Sequence, residues 1–176
     1  MADAVLALTS GDAAFQTRFD YLFQECRCSE ASARPLPRVG LRIEPAGKGR
    51  LVAVFSSPDP ANFGRSAAAA LAEADTISDA SPFVLEGDRI SFRNDRQWQG
   101  TIASVAVNEV LRIQKHMLFF HAATVAVGGR GVMLVGDKGM GKTTLSLALA
   151  ARGGDFLGDE YAAVDTRTLH LVPFRR

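Results

Sequence analysis

The sequence predicts an α/β protein of the α+β kind: a P-loop core with a strand hairpin before its glycine loop, preceded by a small α+β module. Three observations carry this prediction. "VMLVGDKGMGKTTLSLALAARGG" (Val132–Gly154) reads as an apolar strand, a glycine loop and an amphipathic helix in direct succession. "HAATVAV" and "GGRG" just before it read as a strand and a short turn, so two antiparallel neighbours lead into the loop. The earlier part alternates short apolar runs with Pro, Gly and Asp punctuation, the texture of short strands. The predicted organisation is a module over residues 1–100 and a nucleotide-binding domain over residues 101–176.

Each element follows from local chemistry. The prolines of "RPLPRVG" (Arg34–Gly40) break regular structure, and strands are predicted over Val39–Ile43 and Leu51–Phe55. "SSPDPANFG" (Ser56–Gly64) reads as turn and loop. "RSAAAALAEA" (Arg65–Ala74) holds strong helix formers throughout. "FVLEGDRISFR" reads as a hairpin turning at Gly87-Asp88. A long helix is predicted over Thr101–Leu118, with Ile102, Ala106, Val110, Ile113 and Met117 on the core side and Asn108, Arg112 and Lys115 on the wetter side. Strands are then predicted over His121–Val127 and Val132–Gly136, joined by Gly128–Gly131. The helix after the loop places Leu145, Ala148 and Leu149 on its buried stripe, with Gly153-Gly154 as its stop signal. "DFLGDEYAAVD" reads as a further strand carrying two acids, and "TRTLHLVPF" as a turn and a last strand.

Bulk properties narrow the function. The chain has 176 residues, 47% apolar and 22% charged, with a net charge of +1. No global charge bias points to nucleic acid or an acidic membrane surface. No apolar run reaches the roughly 18 residues that cross a bilayer. "MADAVLALTSGD" has no basic leader and does not read as a signal peptide, so a cytoplasmic location is expected. Cys26 and Cys28 are too close for an ordinary disulfide and lack neighbouring zinc ligands, so they read as reduced thiols.

The stretch Gly136–Thr144 matches G-x-x-x-x-G-K-[ST] through Gly136, Gly141, Lys142 and Thr143. The glycines, with Asp137, Lys138, Gly139 and Met140 between them, let successive N–H groups face phosphate oxygens. The helix beginning near Lys142 adds the positive end of its dipole. Lys142 can set a compact ammonium against the outer phosphates, and the Thr143 hydroxyl can enter a Mg²⁺ shell. Thr144 can bond an inner phosphate oxygen. The expected ligands are therefore a nucleoside triphosphate, ATP or GTP, and Mg²⁺.

Asp159 and Glu160 follow at the predicted end of the next strand, where a nucleotide enzyme of this kind needs a carboxylate for the metal. His121 stands at the head of the strand beside the loop strand, a position that raises it above an ordinary structural histidine. The chain has neither the Asn-Lys-x-Asp stretch of GTPases nor the Leu-Ser-Gly-Gly signature of ABC-type ATPases.

Taken together, Phe120 to Val172 resembles the catalytic domain of the HPr kinase/phosphorylase family and its HPr-kinase-related relatives, which are similar in fold to ATP-dependent phosphoenolpyruvate carboxykinases. The matching features are His121 heading a strand, the hairpin, the loop from Gly136 to Thr143, Arg152-Gly153 closing the helix, and the acidic pair Asp159-Glu160. The resemblance implies an ATP- and Mg²⁺-dependent phosphotransferase acting on a protein serine or another hydroxyl. It implies Asp159 as general base, with His121 beside it, and Lys142 on the phosphates. Lys138 and Glu160 depart from the family pattern, which has a serine and a second aspartate at those places. Relative to that family the chain reads as C-terminally incomplete, with Arg175-Arg176 as the start of a further segment or a basic tail. Two other readings stay open: a non-catalytic nucleotide-binding module, or a relative whose site another chain completes. The sequence leaves an oligomer open.

Overall fold

The computed structural model describes residues 4–24, 27–33, 35–75 and 83–173. Cys26 and Arg175-Arg176 lie outside them. The protein is a mixed α/β structure of the α+β class. It divides into two compact units, one running essentially to Gln114 and the other from Lys115 onward. The sequence reading set its boundary at residues 100/101; the long helix that follows packs with the first unit.

The first unit is built on a five-stranded sheet in the order β1-β2-β3-β5-β4. Its strands are β1 (Val5–Ser10), β2 (Arg38–Pro45), β3 (Arg50–Ser56), β4 (Phe83–Glu86) and β5 (Arg89–Arg93). Only β1 and β2 are parallel. Alternation decides the buried face: Val39, Leu41 and Ile43 point in from β2, and Leu51, Ala53 and Phe55 from β3. The β4–β5 hairpin turns at Gly87-Asp88 as its sequence predicts, with Gly87 at φ 62°.

Helices α1 (Ala13–Leu22), α3 (Pro60–Asp75) and α4 (Arg96–Arg112) complete this unit, with a short α2 (Glu30–Ala33) between β1 and β2 in the chain. α1 was not foreseen. Its start is set by Asp12, whose carboxylate accepts the Phe15 N–H at 2.7 Å. α3 begins at Pro60, inside the stretch predicted as loop. Proline is well suited to a first helical position, and Asp59 before it accepts the Phe63 N–H on its carbonyl. α4 also starts earlier than predicted, behind Asp95, and stops at Arg112. Met117 and Leu118 belong instead to a strand of the second unit.

Arg112 is not simply solvated. It donates to Glu109 Oε1 and Oε2 at 2.7 and 2.8 Å and to Asp59 Oδ2 at 2.8 Å. Glu109 is 1% exposed and also accepts from the Ser57 hydroxyl. This network ties the end of α4 to the start of α3. Its bonds to Asn62 and then Arg112 hold the Asp59 carboxyl below its usual range, and Glu109 raises Arg112 further.

The second unit contains two three-stranded sheets, β11-β10-β6 and β8-β7-β9. The first is formed by β6 (Met117–Phe120), β10 (Ala162–Asp165) and β11 (Leu171–Val172), all antiparallel. Arg167, at 2.7 Å, bonds Asp165 and keeps its carboxyl well below the ordinary range. The second sheet holds β7 (Ala123–Val127), β8 (Arg130–Leu134) and β9 (Asp155–Gly158), with helix α5 (Lys142–Ala150) packed on β7 and β9. The predicted strand over Asp155–Asp165 is thus two strands in different sheets, parted by a bend at Asp159-Glu160. Among the described residues, no helix is long and apolar enough to cross a membrane.

Candidate functional site

The β7–β8 hairpin is present and antiparallel, as its short turn predicts. Val127 faces Arg130, so the turn is Gly128-Gly129 alone, at φ 56° and 75°, and Arg130 and Gly131 already belong to β8. Two consecutive left-handed residues suit glycine, which has no Cβ to clash.

β9 also pairs antiparallel with β7, so β8 and β9 run in one direction on either side of it. This register decides what meets at one sheet edge. Ala123 at the start of β7 lies opposite Leu134 at the end of β8, and Thr124 lies opposite Gly158 at the end of β9. The glycine loop after β8, the acidic pair after β9 and His121 before β7 therefore leave the sheet at the same end. The Thr124 hydroxyl bonds the Gly158 carbonyl at 3.3 Å, where the β7–β9 register shifts. His121 lies in the bend between β6 and β7 rather than at a strand head, because β7 pairing begins only at Ala123. His121, Asp159 and Glu160 are all exposed.

Within the loop, Gly139 and Gly141 take left-handed φ of 87° and 79°. Met140 N–H bonds the Asp137 carbonyl at 3.2 Å and closes a tight turn. Gly141 caps α5 without any side-chain acceptor, so no side chain occupies the N–H groups of its first turn. The Lys142 ammonium folds back onto the carbonyls of Gly136 at 2.7 Å and Asp137 at 3.1 Å. Thr143 and Thr144 are exposed on that first turn. The arrangement presents backbone donors and an ammonium from one short stretch, a chemistry that suits an anion.

The helix behind the loop differs from its prediction on one side. Leu145 is 50% exposed, while Ala148 and Leu149 are half-buried. The residue buried completely is Ser146, whose hydroxyl donates to the Thr143 carbonyl at 2.9 Å. Sequence reasoning passed over Ser146; the available signal was a lone hydroxyl inside an apolar helical run. The predicted stop at Gly153-Gly154 holds. Gly153 is left-handed at φ 96°, and Gly154 N–H returns to the Leu149 carbonyl at 3.1 Å. A Cβ on Gly154 would meet the Ala126 carbonyl at 3.0 Å, so the chain can re-enter the sheet there only as glycine or with displacement.

Among the described residues, no group of three or more His, Cys, Asp or Glu is placed to hold a metal ion. The donors on this edge are single exposed carboxylates and a hydroxyl. That set fits a Mg²⁺ ion held with phosphate oxygens and water, which takes only one or two carboxylates from a protein. Compared with family models, curated proteins and solved structures, the chain has no match.

Proposed function

We propose that Gly136–Thr144 is a P-loop that holds the phosphates of ATP, and that the chain is a phosphotransferase of the HPr-kinase-like kind acting on a protein hydroxyl. The observation that supports this best is the loop itself. A left-handed Gly139 and Gly141, an α5 start with no side-chain cap, and an ammonium turned onto the loop carbonyls come from one contiguous stretch. The loop and first-turn N–H groups bind phosphate oxygens, and Lys142 leaves the Gly136 and Asp137 carbonyls to meet them. Thr143 and one of Asp159 or Glu160 would hold Mg²⁺, which would neutralise charge on the phosphates. Asp159 takes the proton of the attacking hydroxyl, and His121 stands at the same edge as its neighbour.

The test is calorimetric titration with ATP in the presence of Mg²⁺. Lys142→Ala should weaken binding at least about tenfold, roughly 1.4 kcal/mol. Equal affinity in the variant would remove the assignment.

One observation favours a second reading, nucleotide binding without transfer. Asp159 is exposed in a bend, and among the described residues no ion pair orients its carboxylate. Phosphate transfer from labelled ATP to a protein acceptor, lost in Asp159→Asn with binding retained, separates the two readings.

A further inference from the structure

Two lysines stand in one short loop, and the fold treats them differently. The Lys142 ammonium turns inward onto two carbonyls, 2.7 and 3.1 Å away. Lys138 is exposed. With Gly139 it forms the centre of the turn closed by Met140 N–H and the Asp137 carbonyl at 3.2 Å. Gly139 at φ 87° supplies the left-handed third position of such a turn, which leaves Lys138 at the preceding corner. Among the described residues no carboxylate pairs with Lys138.

We infer that Lys138 is a second phosphate cation, one that meets the terminal phosphate of a triphosphate and makes the loop discriminate triphosphates from diphosphates. The inference rests on the triphosphate reading above. Its argument is the division of labour within the loop. The first-turn N–H groups come from the α5 end and serve the phosphates seated against that helix, and Lys142 reaches from the same end toward the outer phosphates. Lys138 comes from the β8 end, on an outward corner, where only the end of a longer phosphate chain meets it. The edge it shares with Asp159 and Glu160 carries exposed negative charge, and one Mg²⁺ held there would offset only part of that charge beside a triphosphate, which leaves a role for a further cation. A lysine ammonium on a flexible stem does this without demanding one geometry.

The experiment is calorimetric titration of the full chain with ATP and with ADP, each with Mg²⁺, for the unsubstituted protein, Lys138→Gln and Lys138→Arg. Circular dichroism confirms that the exposed substitutions leave the fold intact. Lys138→Gln should lose about tenfold in ATP affinity and less than about twofold in ADP affinity, while Lys138→Arg keeps ATP affinity within about threefold. Equal losses for ATP and ADP, or no loss for either, overturn the inference and leave the triphosphate reading standing. An unsubstituted chain that binds no ATP overturns both.

Discussion

The two compact units bury different residues. The first packs Phe15, Phe55, Phe92, Leu41, Ile43 and Ile102 into one cluster, each 2% exposed or less. The second buries mainly small side chains, among them Ala122, Ala123, Val125, Ala162 and Ala163. Among its large apolar residues Met117 is buried, while Val135 is 70% exposed, Met140 75% and Leu169 78%. Burial of apolar area is the main favourable term in folding, and a small domain has little of it to spare. The difference teaches where stability resides. The first unit has the core and carries no phosphate motif. The second has the glycine loop and the acidic pair on a thin sheet. A ligand that binds only the folded second unit would therefore raise its stability by mass action.

The largest expected effect tests this contrast directly. Phe92 is fully buried, and its ring meets Phe15 at 6.4 Å between centroids, inclined by 60°. Phe92→Ala should cost about 3–5 kcal/mol in urea unfolding, from lost transfer energy and the cavity left behind. Val125→Ala, at a fully buried site of the second unit, should cost well under that. If the two cost the same, the second unit has a core as strong as the first and the contrast fails.

The next effect is polar. Arg112→Ala leaves the Glu109 carboxylate, 1% exposed, with the Ser57 hydroxyl but without its guanidinium partner. Removing one partner of a buried pair costs about 3 kcal/mol, measured at neutral pH by urea midpoint and slope. The sign with pH follows from Asp59. Its folded pKa is depressed, so its contribution is present above the ordinary aspartate value, about pH 4, and fades as pH falls through the folded value. The variant has already lost the Arg112 share of that contribution. The gap between the two proteins should then narrow from pH 7 to pH 3. A gap that widens on acidification would mean that the Asp59–Arg112 bond does not contribute in solution.

Much of the fold was legible in the sequence. Strands β2, β3, β4 and β5 were legible as short apolar runs set off by Pro, Gly and Asp, which mark where each run ends. The loop, its hairpin and the Gly153-Gly154 stop were legible because each is local. β1 and α1 were missed. β1 gains its partner from β2, across α1, and its short apolar run has no strict alternation. α1 did carry a signal, Asp12 followed by Phe15, Phe19 and Phe23 at helical spacing, and the aromatic rings do meet. The split between β9 and β10 was hidden because the two lie in different sheets, a fact of tertiary pairing rather than composition. Of the candidate site, the left-handed glycines of the loop and the start of α5 were legible because the stretch is contiguous in sequence. That His121, Asp159 and the loop leave one sheet edge depends on the registers of β7 with β8 and with β9, which no local pattern fixes.

The smallest expected effect is also the sharpest test of the contrast. Leu145 follows the predicted apolar stripe of α5 yet is 50% exposed, and Leu147 on the same helix is 52% exposed. Ser146 is instead the buried residue, its hydroxyl bonded within the helix's own first turn, and Gly154 approaches β7 closely where the chain leaves the helix. Leu145→Gln exchanges one good helix former for another and removes little buried area. Its cost in urea unfolding should therefore stay within about 0.5 kcal/mol, as for ordinary surface positions. ATP affinity should also hold, because the side chain starts one turn beyond the Lys142 ammonium and offers no donor to phosphate. A loss of about 2–5 kcal/mol, the range of a core leucine, would show that the outer face of α5 is covered in solution. The second unit would then own a core that its sheet and helix alone do not supply, and its weakness relative to the first would disappear.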